Sequence, residues 1–133
     1  MKYYFSTIIE KSFDQVVLDV TEELKKEGFG VLTDIDVKAT MKKKLDVELK
    51  KYRILGACNP KYAYQALQKE DKIGTMLPCN VIVQELENGN IEVAAIDPSA
   101  SMQAVQNPDL KGVAEEVRKK LQSVISSLKK YKL

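Results

Sequence analysis

Histidine is absent from this chain of 133 residues. That excludes Ser-His-Asp and Cys-His catalysis within the chain, and every histidine-based metal site. It also leaves no side chain that titrates near neutrality unless a neighbour perturbs it. Cysteine is scarce, with only Cys58 and Cys79. No apolar run approaches the roughly 20 residues that a membrane-spanning helix needs. The start, Met1 to Phe5, lacks the long apolar centre and small-residue cleavage site of a signal peptide. The expected location is therefore cytoplasmic, and the two cysteines are expected as thiols rather than a structural disulfide. Glycine-rich phosphate loops are missing too, because Gly28 and Gly30 are not followed by the rest of that pattern.

What is present suits a globular protein. Hydrophobic residues make up 44% of the chain, too many for disorder. The length fits one domain, 1–133, with a core large enough to need no staples. Net charge is +2 but uneven. Residues 36–53 carry seven Lys/Arg against three acids, a net +4, and residues 118–133 carry six Lys/Arg and no acid. Such asymmetry can mark contact with nucleic acid or an acidic membrane. The basic runs lack interleaved aromatics except near Tyr131, and they lie at helix ends, where cations are favourable anyway. Nucleic-acid binding is therefore disfavoured, and no membrane partner is expected.

Residues 2–9 alternate and contain Tyr, Phe, Thr and Ile, which is strand chemistry. Ser12 to Gln15 fits a capping box, with Gln15 expected to reach back to the cap. Phe13, Val16, Val17, Val20 and Leu24 then recur at helical spacing, and Lys25, Lys26 and Gly28 close the helix. Phe29, Val31, Thr33 and Ile35 alternate as a second strand. Asp36 can cap a short helix over 37–46. Tyr52 to Cys58 reads as a third, buried strand. Asn59-Pro60 opens a helix, with Asn as the cap and Pro at the first helical position. Ala63 and Ala66 are small, so this helix can lie close to what it covers. Gly74 marks a loop. Strands 79–86 and 91–96 flank Glu87-Asn88-Gly89-Asn90, whose Asn-Gly is the strongest short-range hairpin signal. Asp97-Pro98 breaks the last strand, and residues 97–107 are expected as a loop. A final helix is expected over 109–130, striped by Leu110, Val113, Val117, Leu121, Val124, Ile125 and Leu128. The order β-α-β-α-β-α-β-β-α implies an α+β fold. It has one mixed or largely antiparallel sheet with helices packed on one face.

The chemistry-bearing residues fall at strand ends. If strands 52–58 and 79–86 are antiparallel neighbours, Cys58 and Cys79 share one end of the sheet, each followed by an asparagine, Asn59 and Asn80. A helix N-terminus just after Cys58 would lower its thiol pKa. The functional readings are a thiol pair for redox exchange, or two ligands for a soft metal such as Cu(I), shared across a dimer. Two cysteines without histidine are too few for tetrahedral zinc. The plainer reading is that free cysteine packs as a small buried apolar group. Asp34, Asp36 and Asp97 are the candidate carboxylates, for acid-base work or a hard cation. Against that, Asp36 can be a helix cap and Asp97 before Pro98 is common turn chemistry.

Four blocks carry a family resemblance: Gly28 to Val37, Tyr52 to Pro60, Leu77 to Val81 and Ile96 to Pro98. Together they closely resemble the bacterial and archaeal family called domain of unknown function 302, over essentially the whole chain. The resemblance implies a curved antiparallel sheet backed by helices, similar to the TATA-box-binding-protein architecture, and a homodimer. It implies no established reaction, and likeness of fold to a DNA binder is no evidence for DNA binding.

The favoured expectation is a cytoplasmic homodimer that binds a small ligand or partner near Cys58, Asn59, Cys79, Asn80 and Asp97. The alternatives are a thiol-dependent redox enzyme, with Cys58 and Cys79 as thiols and Asp34 or Asp36 as base, and a soft-metal protein using the same two cysteines. No motif names a cofactor.

Overall fold

The computed structural model describes residues 2–129. Residues 130–133, including Tyr131 and two of the C-terminal lysines, lie outside the described residues.

Five strands form one sheet in the order β1-β5-β4-β3-β2, and every neighbouring pair is antiparallel. They are β1 (Tyr4–Ile9), β2 (Gly30–Asp36), β3 (Tyr52–Cys58), β4 (Cys79–Glu85) and β5 (Ile91–Ile96). The β4–β5 hairpin closes as the Asn-Gly signal requires. Gly89 takes φ +88°, a left-handed conformation that glycine adopts without steric cost. Asn88 Oδ1 accepts from the Asn90 amide at 3.0 Å.

Alternation along each strand divides the sheet into two faces. Ile9, Leu55, Val81, Val83, Ile91, Val93 and Ala95 are buried on the inner face. Helices cover that face. In α1 (Phe13–Lys26), Phe13, Val16, Val20 and Leu24 form the buried stripe. In α5 (Lys111–Leu128), Val113, Val117, Leu121, Val124, Ile125 and Leu128 do the same. Burying each such side chain contributes roughly 1.5–3 kcal/mol. The outer face is turned away from α1 and α5. Across its middle, Ser6, Ala94, Ile82, Ile54 and Ile35 stand opposite one another, strand by strand.

Two shorter helices complete the inner layer. α3 (Pro60–Lys69) lies beyond β3, and α4 (Pro98–Met102) lies beyond β5. α2 (Val37–Leu45) differs from the rest, because none of its residues is buried. Asp36 Oδ1 caps it, accepting from the Ala39 amide at 2.9 Å.

Local details depart from the sequence expectations in five places, the first being Gly74, which lies in a 3-10 helix over Asp71–Met76 and not in a loop. Ser12 accepts from the Gln15 amide, but the Gln15 side chain donates onward to Asp19 at 2.9 Å instead of closing a capping box. Asn59 starts α3 but makes no side-chain cap bond. Residues 97–107 are not a plain loop. Asp97 Oδ1 accepts from the Ser99 amide at 2.9 Å and Pro98 takes the first helical position, so the pair that ends β5 also opens α4. The last helix begins at Lys111, after a single 3-10 turn over Pro108–Leu110. No helix among the described residues is long and apolar enough to cross a membrane.

Candidate functional site

Ala57 of β3 stands directly opposite Cys79 of β4. Cys58 is therefore one residue beyond Cys79's partner, and the two cysteines share one end of the sheet, as the antiparallel pairing predicts. Both are free thiols and both are half-buried. They form part of the wall of a cavity of about 220 Å³. The rest of the wall is almost wholly apolar. Phe29 and Leu32 come from the start of β2, Tyr62, Ala63 and Ala66 from α3, Pro98 and Met102 from α4, and Val113, Ala114 and Val117 from α5.

Each element brings its residues for a local reason. The β2–β3 register slips between Val31 and Thr33, leaving Leu32 unpaired in a bulge, exposed at the cavity's rim. Ala63, Ala66 and Ala114 are small, so the faces that α3 and α5 turn to this space do not fill it. Gly56 admits the loop before β4. A Cβ there would stand 2.8 Å from Pro78 Cγ and closer still to Thr33 Oγ1, nearer than side chains tolerate.

Burial pushes the Cys79 thiol up from 9.0 to about 11, and the nearby Cys58 thiol adds a second, smaller push in the same direction. Cys79 is therefore a neutral thiol at pH 7. A buried thiol that holds its proton is a poor nucleophile, so burial works against thiolate chemistry at Cys79.

Asn59 also lines the cavity, but its amide is engaged. Asn59 Nδ2 donates to the Glu27 carbonyl at 3.1 Å, tying the start of α3 to the end of α1. Asn80 is a correction. It follows Cys79 on β4 and so points to the outer face, where it lines a different hollow with Tyr52 and Gln84. The two Cys-Asn corners therefore do not converge as a set of four.

The carboxylates are placed elsewhere. Asp34 lies opposite Leu55, three residues from Cys58 along β3, or about 10 Å at strand spacing. Its carboxylate accepts from Arg53 Nε at 2.7 Å and from the same guanidinium's Nη2. That pairing holds its pKa below the usual carboxylate value. Asp36 lies opposite Arg53, nearer still to the far end of the strand, and is occupied as the α2 cap. Neither is placed to act as base for the thiols. Asp97 is buried at the start of α4, with Arg118 Nε 3.3 Å from each of its carboxylate oxygens. It positions α4, and through it the Pro98–Met102 wall. Sequence reasoning missed that wall, although Asp97-Pro98 is itself a helix-start signature. Among the described residues no group of three or more His, Cys, Asp or Glu side chains is placed to hold a metal ion.

A five-stranded antiparallel sheet with helices packed on it, and an apolar hollow at one strand end, make this an α+β domain. The chain belongs to the family described as domain of unknown function DUF302, which it matches over residues 5–128. It is similar to the crystal structure of an uncharacterized conserved protein of that family from Bacillus stearothermophilus. The two are 26% identical, with a TM-score of 0.87 over 95% of this chain and 98% of the other. No curated protein matches.

Proposed function

We propose that this protein binds a small, largely apolar ligand in the cavity between the Cys58/Cys79 end of the sheet and helices α3, α4 and α5. One observation carries the reading. A half-open hollow of about 220 Å³ is walled almost wholly by apolar side chains of β2, β3, α3, β4, α4 and α5, which leave it unfilled where a packed interior leaves few voids larger than a water. An apolar cavity of roughly 150 Å³ already takes up a benzene-sized ligand. Few polar groups border this one, and the principal ones are thiols, which orient an apolar ligand without demanding hydrogen bonds from it. The test is a thermal-shift series with small aromatic and aliphatic compounds on wild type and Ala63→Phe. Stabilisation of wild type alone supports the reading. A wild-type protein that no apolar compound stabilises overturns it.

A second reading is favoured by Met102. It joins Cys58 and Cys79 on the wall, so three sulfur-bearing side chains border one space, and soft donors select Cu(I)-like cations. Titration with Ag(I) as a Cu(I) surrogate separates the two readings. Stoichiometric uptake that is lost in Cys58→Ala/Cys79→Ala supports the metal reading, and uptake that survives rejects it. Thiol redox chemistry is the weakest of the three, because Cys79 holds its proton far above neutral pH.

The protein is further proposed to act as a homodimer. Support comes from the outer face of the sheet, where Ile35, Ile54 and Ile82 stand side by side on the side away from α1 and α5, with Ile35 exposed. Light scattering on wild type and Ile54→Lys tests this. A monomeric wild type rejects it.

A further inference from the structure

The cavity wall has one aromatic ring with cations on it. Lys61 Nζ stands 5.4 Å from the centroid of the Tyr62 ring, and Lys120 Nζ, reaching from α5, stands 6.0 Å from the same centroid. Tyr62 itself lines the cavity. Lys120 is half-buried, and its carboxylate neighbour Glu27 is 3.9 Å away at the limit of an ion pair. The other Glu27 oxygen accepts from Ser123 Oγ at 3.1 Å. Two lysine cations therefore stand at the Tyr62 ring of an otherwise apolar cavity, with the Glu27 carboxylate beside Lys120. A neutral apolar ligand gains nothing from that charge. A ligand with an apolar body and an anionic end gains from both parts.

We infer that the ligand is an anionic amphiphile, namely a monocarboxylate whose apolar body fills the cavity while its carboxylate meets Lys61 and Lys120 over the edge of Tyr62. The inference rests on the cavity being a binding site and names the class of ligand. Cavity size sets the body. A space of about 220 Å³ holds an aromatic ring and a few further carbons, when roughly 150 Å³ holds benzene. A long-chain fatty acid would leave most of its chain outside the hollow. Charge recognition by an exposed Lys61 and a half-buried Lys120 is moderate and is screened by salt, because the Debye length falls to about 3 Å at 1 M ionic strength.

The experiment compares 3-phenylpropanoate with 3-phenyl-1-propanol by isothermal titration calorimetry at low and high salt. The proteins are wild type, Lys61→Ala/Lys120→Ala and Ala63→Phe, each checked for folding by circular dichroism. Wild type is expected to bind the acid about tenfold more tightly than the alcohol at low salt, a difference of about 1.4 kcal/mol. That preference is expected to shrink at high salt and to vanish in the double lysine variant, which still binds the alcohol. Ala63→Phe is expected to lose both ligands. Equal binding of acid and alcohol by wild type, or a preference that survives loss of both lysines, overturns the anion inference and leaves the cavity reading standing. Failure of wild type to bind either compound overturns the cavity reading and the inference with it.

Discussion

Asn59 on the last turn into α3 donates its side-chain amide to the backbone carbonyl of Glu27, thirty-two residues earlier, at 3.1 Å. This bond replaces the helix cap that an asparagine before Pro60 usually makes. It joins the end of α1 to the helix that forms one wall of the cavity. Gly28 makes room for it. With φ +89°, Gly28 presents no Cβ, and a Cβ there would come within 3.2 Å of Asn59 Nδ2.

Asn59→Ala is expected to lower stability by about 1 kcal/mol, the usual net worth of a hydrogen bond lost at a partly buried site. Asn59→Ser separates the two roles. Serine is a good cap but is too short to reach Glu27, so it should lose nearly as much. Urea denaturation of the three proteins measures this, and full retention of stability in the serine variant would show that capping, not the tie to Glu27, is what matters.

What local pattern reveals and what it hides differ at this corner. The strand ends at Cys58 and Cys79 are legible because Asn59-Pro60 and Leu77-Pro78 punctuate them, and antiparallel pairing then sets both at one end. The face on which each side chain lies is not legible from the pairs alone. Strand period is two, so Asn80, inside β4, faces away from Cys79, whereas Asn59 lies past the end of β3 and stays on the cavity wall with Cys58. Asn59's partner is hidden because it is a backbone carbonyl distant in sequence, while a cap signal is local. The Pro98–Met102 wall is hidden for another reason. Asp-Pro ends a strand and starts a helix with equal ease, and only the room left between β5 and α5 decides between them.

Gly56 is where β3 makes room for the segment before β4. Gly56→Ala is expected to cost about 1–3 kcal/mol, because its Cβ would meet Thr33 Oγ1 and Pro78 Cγ well inside contact distance. Thr33→Ala should relieve the tighter of the two clashes, so the double variant is expected to recover part of the loss. Non-additivity of at least about 0.5 kcal/mol in the double-mutant cycle is the expected readout. Strict additivity would place the strain elsewhere.

Cys79 carries a pH dependence with a definite sign. Its folded pKa, about 11, lies above the ordinary value of 9.0. The protonated thiol is therefore favoured by folding. The stability it contributes is complete below pH 9 and is lost as pH rises through 11. Tyrosines and lysines also titrate in that range, so the measurement is a difference. Stability of wild type minus that of Cys79→Ala, followed by urea melts from pH 8 to 11, is expected to fall with pH. At pH 7.5 Cys79 should also react with iodoacetamide far more slowly than an unfolded cysteine. Fast alkylation in the native state would return the thiol pair to the redox reading.

Asp34 provides the opposite control. Its pairing with Arg53 lowers its pKa, so the stability it contributes is present above the ordinary carboxylate pKa and is lost as pH falls through the lowered folded value. The pair lies on the exposed β2 edge of the sheet, where such bridges are worth less than about 1 kcal/mol. Asp34→Asn is therefore expected to cost little at pH 7 and to flatten the acid limb of the stability curve. More telling is what it should leave alone. Asp34 stands about 10 Å along the sheet from Cys58, and its carboxylate is held by a guanidinium. Ligand uptake and the alkylation rates of both thiols are expected to match wild type across pH 6–9. A shift in the pH profile of either thiol in Asp34→Asn would mean that this carboxylate communicates with the cavity after all, and that it belongs to the site.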